Sequence, residues 1–131
     1  MAAERVVLVV EDEEPNRALL RAILGRAPDE RLRGITLLEA GDLASARDVL
    51  ATRHVDLVLL DVRLPDGNGL SLIPHESEWT PGTPLFVVLS ASVLPTERAA
   101  ALASGASDFL AKPYRPADLI ESVIDLLPPA D

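Results

Sequence analysis

Apolar and polar positions alternate along the chain in a regular block pattern. Val6–Val10 is apolar throughout, which is the form of a strand buried on both faces. Pro15 to Arg26 follows, with Leu19, Leu20, Ile23 and Leu24 at helical spacing. Pro15 suits a first helical turn, where its missing N–H has no partner to lose. Ile35–Leu38 predicts a second strand. Asp42 is placed to cap a helix in which Leu43, Ala46 and Leu50 share a face. Val55–Leu60 predicts a third strand, interrupted only by Asp56. Gly69–Ile73 begins a helical segment that Pro74 should cut or bend. Leu85–Leu89 predicts the fourth strand and Ser107–Ala111 a short fifth one. Between them Thr96–Ser104 is an Ala-rich helix, with Pro95 before it and Gly105 after it. Ala117–Leu127 is the last helix, with Leu119, Ile120, Val123, Ile124 and Leu127 inward, and Pro128-Pro129 stops it.

The order is therefore strand then helix, five times over. Buried strands alternating with helices predict a parallel sheet covered on both faces. Right-handed crossovers and this length favour a doubly wound five-stranded α/β sheet of order 2-1-3-4-5, flavodoxin-like in class. The length, 131 residues, is that of one domain, with no linker, repeat or low-complexity tract. Loops are short except from His75 to Pro84, where Pro74, Pro81 and Pro84 crowd together.

Composition narrows the chemistry. Cysteine is absent, which excludes disulfides, thiolate metal sites and cysteine nucleophiles. No apolar run approaches the ~20 residues of a membrane span. The N-terminal residues carry no secretory pattern, because the run Val6–Val10 is short and ends in carboxylates. The net charge is −9, and a field of that sign repels nucleic acid and anionic lipid. Eleven of the twelve cationic residues are Arg, so Lys112 stands alone.

In open parallel sheets the working groups lie at the carboxyl ends of the strands. Glu11, Asp12, Glu13 and Glu14 follow the first strand, and Asp61 follows the third. Ser90, Ala91 and Ser92 follow the fourth, and Lys112-Pro113 the fifth. With strands one and three adjacent, Glu11, Asp12 and Asp61 would converge. Three carboxylates in one crevice repel unless a cation or protons intervene. Oxygen ligands without His or Cys suit Mg²⁺. Each residue also has an ordinary role. Acids after a strand favour the next helix N-terminus, which is the better reading of Glu13 and Glu14. Asp61 could cap or turn, Ser90 could bond nearby backbone, and Lys112 could be a solvated charge. Their joint occurrence at four strand ends is what turn chemistry does not account for. His54 and His75 have no metal-ligand spacing and are surface residues. No Gly-rich phosphate loop follows the first strand, and acids there would repel a bare phosphate.

From about Arg5 to Leu127 the chain resembles a bacterial response-regulator receiver domain, of the chemotaxis-regulator type. Val9-Val10-Glu11-Asp12-Glu13 resembles the family's acidic pair, and Asp61-Val62-Arg63-Leu64-Pro65-Asp66-Gly67-Asn68-Gly69 its phosphoacceptor loop. Leu89-Ser90-Ala91 resembles its hydroxyl position, and Gly105-Ala106-Ser107-Asp108-Phe109-Leu110-Ala111-Lys112-Pro113 its closing motif. The resemblance implies one cytoplasmic receiver domain over 1–131, with no effector domain in the chain. It implies two-component or phosphorelay signalling, with Asp61 taking a phosphoryl group from a kinase phosphohistidine, and no turnover of a separate substrate. Mg²⁺ (or Mn²⁺) would be bound by Asp12, Asp61 and the Arg63 carbonyl, with Glu11 acting on the same ion through water. Lys112 would pair with Asp61 and then with a phosphoryl oxygen. Ser90 and Ala91 would hold the phosphoryl group, and Phe109 would turn inward as the Ser90 hydroxyl moves. Arg63 and Ser92 would tune the lifetime of the phosphate. A downstream protein would dock on the face of helix four, strand five and helix five, from about Thr96 to Leu127, with no nucleic acid or membrane bound directly. Glu11 stands where Asp is commoner, Leu64 where Met is frequent, and Phe109 lacks the phenol of a Tyr. Two other functions share these residues. One is a receiver-shaped scaffold that no longer takes phosphate. The other is a Mg²⁺-dependent phosphohydrolase, although Glu14 rather than Asp stands two residues after Asp12.

Overall fold

A computed structural model describes residues 4–27, 29–75, 78, 82–91 and 94–128. Five strands form one parallel sheet: β1 Val6–Val10, β2 Thr36–Ala40, β3 Leu57–Asp61, β4 Leu85–Ser90 and β5 Asp108–Ala111. Their order across the sheet is 2-1-3-4-5, as the alternation predicts. Val7 sits beside Leu37 and Leu57, and Val58 beside Phe86. The helices are α1 Glu14–Arg26, α2 Leu43–Thr52, α3 Pro95–Ala103 and α4 Pro116–Leu126. Each begins or ends within one or two residues of its predicted boundary, as helix ends commonly do.

The apolar runs are continuous because successive side chains serve opposite cores. Val6, Leu8, Val10, Val58, Leu60, Phe86 and Val88 pack with Leu43 and Ala46 of α2 and Ala101 of α3. Val7, Val9, Leu57, Leu59, Val87 and Leu89 pack with Leu20 and Leu24 of α1 and Leu119 and Val123 of α4. Asp56, the one break in the third run, accepts a hydrogen bond from the Val6 N–H at 2.8 Å. His54 lies outside, 2.7 Å from the same carboxylate, and His75 is exposed.

The third crossover corrects the fivefold repeat. Between β3 and β4 the chain forms a small antiparallel ladder, Arg63–Leu64 against Gly67–Asn68, and then one 3₁₀ turn, Gly69–Leu72. No third α-helix follows among the described residues. Pro74 lacks the N–H to continue the turn and disfavours helical backbone at Ile73. Leu72 and Ile73 are nevertheless buried, so the shortened segment still covers the sheet. Pro81 lies outside the described residues.

Candidate functional site

The carboxyl ends of β1, β3, β4 and β5 open on one cleft of about 620 Å³. Its lining includes Glu11, Asp12, Asp61, Arg63, Ser90, Ala91 and Lys112 from the predicted set, and also Asn16 and Glu97. Asp61 is the last residue of β3, beside Leu89 of β4. Ser90 ends β4 beside Ala111, and the Lys112 N–H continues that ladder by donating to the Ser90 carbonyl at 2.7 Å. Sheet register thus brings a carboxylate, a hydroxyl and an ammonium into one cleft.

Glu11 is the buried member, with its side chain 3% exposed. Its carboxylate accepts from the Glu13 N–H and the Asn16 amide, each at 3.2 Å, and from Lys112 Nζ at 3.0 Å. Its backbone is fixed as well. The Glu11 N–H donates to the Ala40 carbonyl at 3.0 Å, and Arg17 Nη1 donates to the Glu11 carbonyl at 2.6 Å. Arg17 in turn pairs with Glu14 and Glu39, which ties α1 to β2. Lys112 Nζ lies 3.5 Å from Asp61 Oδ2, so the lysine bridges both carboxylates and sits closer to Glu11. One carboxylate oxygen each from Glu11, Asp12 and Asp61 lies within 4.8 Å of the other two. Asp12 is exposed at the mouth.

This crowding sets the protonation of the group. Burial pushes the Asp61 carboxyl up to about 6; hydrogen bonding with Glu11 and its charge push the same way, and Lys112 opposes them. Burial also acts upward on Glu11, but its bonds with Lys112, Asn16 and Asp61 outweigh it and hold its carboxyl below the ordinary value. The Lys112 ammonium is held above its usual range, because contact with Glu11 and Asp61 outweighs its desolvation. The donor set is hard oxygen with excess negative charge, which fits Mg²⁺ or Mn²⁺.

The loop after Asp61 is tight. The Arg63 N–H points to Asp61 Oδ1 at 3.4 Å, and the Gly69 N–H donates to the Val62 carbonyl at 2.6 Å. A Cβ on Gly69 would lie 2.1 Å from the Asp61 carbonyl oxygen, so only glycine lets the loop fold back on β3. Ser90 Oγ donates to Glu97 Oε2 at 3.4 Å. Phe109 is already inward, with the Arg98 guanidinium 6.0 Å from its ring centroid. Ser92, the other expected lifetime residue, lies outside the described residues. Sequence reasoning passed over Asn16, Arg17 and Glu97. The first two lie on the helix after the acidic run, which is a local signal. Glu97 reads only as a favourable first-turn acid.

The response regulator receiver domain model matches residues 7–124. The chain is 39% identical over 108 residues to the KDP operon transcriptional regulatory protein KdpE of Escherichia coli, covering 82% of this chain and 44% of that protein. It is 39% identical over 106 residues to the response regulator protein PilR of Pseudomonas aeruginosa, covering 81% and 22%. The chain thus spans less than half the length of these two relatives. A response regulator receiver protein of Pseudomonas putida superposes with a TM-score of 0.79 at 29% identity, over 95% of this chain and 99% of that one. Fold, sheet order and sequence agree, and the chain belongs to the response-regulator receiver domain family.

Proposed function

We propose that Asp61 accepts a phosphoryl group from the phosphohistidine of a histidine kinase or phosphotransfer protein, in a cytoplasmic two-component or phosphorelay pathway. The observation that carries this is the convergence of Glu11, Asp12 and Asp61 with Lys112 at neighbouring strand ends. An Asp61 oxygen attacks phosphorus in line, the new P–O bond forms and the P–N bond breaks. The imidazole leaves with the electron pair and takes up a proton. Such a transfer needs positioning and charge neutralisation more than acid–base chemistry. Asp12, Asp61 and the Arg63 carbonyl, with Glu11 through water, would hold a Mg²⁺ or Mn²⁺ whose charge offsets that of the transferring group. Lys112 Nζ exchanges its contact with Asp61 for one phosphoryl oxygen, and Ser90 Oγ and the Ala91 N–H take the others. Arg63 at the cleft mouth and Ser92 set the rate of hydrolysis. The chain is a phosphoacceptor rather than a turnover enzyme, and residues of about 5–127 act as one receiver domain. The predicted docking surface corresponds to α3, β5 and α4, since no separate third helix precedes them among the described residues. New phosphate charge at the cleft biases that face through Ser90 and Phe109.

Intact mass after incubation with acetyl phosphate tests this reading. The expected result is a Mg²⁺-dependent gain of one phosphoryl group, labile to base, absent with EDTA and absent in Asp61→Asn. Equal labelling of the Asn variant would move the acceptor elsewhere. No labelling by acetyl phosphate or by a kinase would favour the phosphate-independent scaffold. Turnover of an aryl phosphate would favour the hydrolase.

A further inference from the structure

Two carboxylates line the cleft without a part in the phosphoacceptor chemistry, the exposed Glu13 and the half-buried Glu97. Glu97 lies in the first turn of α3 and reaches back over the end of β4, where its Oε2 accepts from Ser90 Oγ at 3.4 Å. It is half-buried, while Pro95, Thr96 and Arg98 beside it are exposed. Among the described residues no cation pairs with it: Lys112 is taken by Glu11 and Asp61, and Arg98 points to the Phe109 ring. A first-turn acid serving only the helix dipole would face solvent.

We propose that Glu97 is a positioning residue that opposes the phosphorylated state by holding the Ser90 hydroxyl in the unphosphorylated chain. This rests on the phosphoacceptor reading above. A hydroxyl has one proton to donate. Given to Glu97, it is not available to a phosphoryl oxygen on Asp61. Phosphorylation must break the Ser90–Glu97 contact, and α3 loses that polar tie to the end of β4 when it does. A ligand shifts a two-state element only by its differential affinity for the two states. Glu97 subtracts from that difference, so it tunes how far phosphate moves α3. The bond is long for O–H···O, so its effect is modest.

Binding of beryllofluoride with Mg²⁺, followed by titration calorimetry, tests the proposal without turnover or hydrolysis. Glu97→Ala removes the acceptor and should tighten the apparent Kd about three- to tenfold. Glu97→Gln keeps an acceptor but removes its charge, so it should tighten binding less. In a Ser90→Ala background both gains should vanish. A merely structural role would not depend on Ser90. Unchanged affinity in Glu97→Ala overturns the proposal. So does an equal gain in both Glu97 variants that persists without Ser90, which would mean simple charge repulsion. Wild-type chain that binds no beryllofluoride and gains no phosphoryl group would overturn the phosphoacceptor reading and this proposal together, whereas normal phosphorylation with unresponsive Glu97 variants overturns this one alone.

Discussion

Asp61 answers to two opposed requirements. The proposed attack on phosphorus needs it ionised, yet it is half-buried beside a second carboxylate. With a folded-state value of about 6 against an ordinary 3.8, the folded chain binds the Asp61 proton more tightly than the unfolded chain. The stability this contributes is complete below about 3.8 and is lost as pH rises through about 6. Without metal at pH 8, the fold therefore carries an unfavourable charge. Asp61→Asn should stabilise the chain in EDTA at pH 8 by on the order of 1–3 kcal/mol. The gain should shrink steadily as pH falls towards 4, which urea unfolding at several pH values will measure. A variant less stable than wild type at pH 8 would mean that Lys112 neutralises Asp61 fully. Much of this residue-scale picture was legible in the sequence. Glu11, Asp61, Ser90 and Lys112 each end or follow a strand, and a doubly wound sheet brings such ends together. Glu97 was not legible, because its meaning depends on side-chain reach from one element onto the end of another.

At the scale of elements, the loop after β3 also holds a helix in place. Asp42 caps α2 in the ordinary local way, accepting from the Ser45 N–H at 2.7 Å. Asp66, from the loop after β3, accepts from the next two free donors, the Leu43 N–H at 2.8 Å and the Ala44 N–H at 3.1 Å. The bond from Leu43 above all, with that from Ala44, outweighs desolvation and holds the Asp66 carboxyl below its ordinary 3.8. Its stabilising contribution is thus present above that value and fades as pH falls through the lower folded one. Asp66→Ala should lower the urea midpoint at pH 7, and Asp66→Asn should lower it less. The difference from wild type should close in strong acid, and a difference unchanged there would mean the carboxylate charge plays no part. The first cap is a rule about neighbouring residues and is visible in sequence. The second spans 23 residues and depends on how the loop folds. The third crossover failed for a related reason. Leu70, Leu72 and Ile73 are too few to establish a helical period, and Pro74 ends the segment before one can form.

For the whole molecule, strand burial and site charge are linked. The two apolar cores on either face hold β1, β3, β4 and β5 in register, and that register forces the carboxylates together. Folding therefore assembles a cluster that repels itself within a chain of net charge −9. A divalent cation that binds the folded cluster more strongly than the unfolded chain must raise the folding stability by mass action. Mg²⁺ should accordingly raise the melting temperature of wild type at pH 8, with a gain that grows as the logarithm of its concentration. Proton and metal compete for Asp61, so the gain should fall below about pH 6, where the metal-free carboxyl is protonated. Asp61→Asn should begin from a higher melting temperature and gain less from the same Mg²⁺. Equal gains in both proteins would place the cation away from Asp61, on surface acids such as Glu13 and Glu14, and would separate the metal from the acceptor. A gain confined to wild type and to pH above 6 would tie metal, proton and phosphoacceptor to one carboxylate.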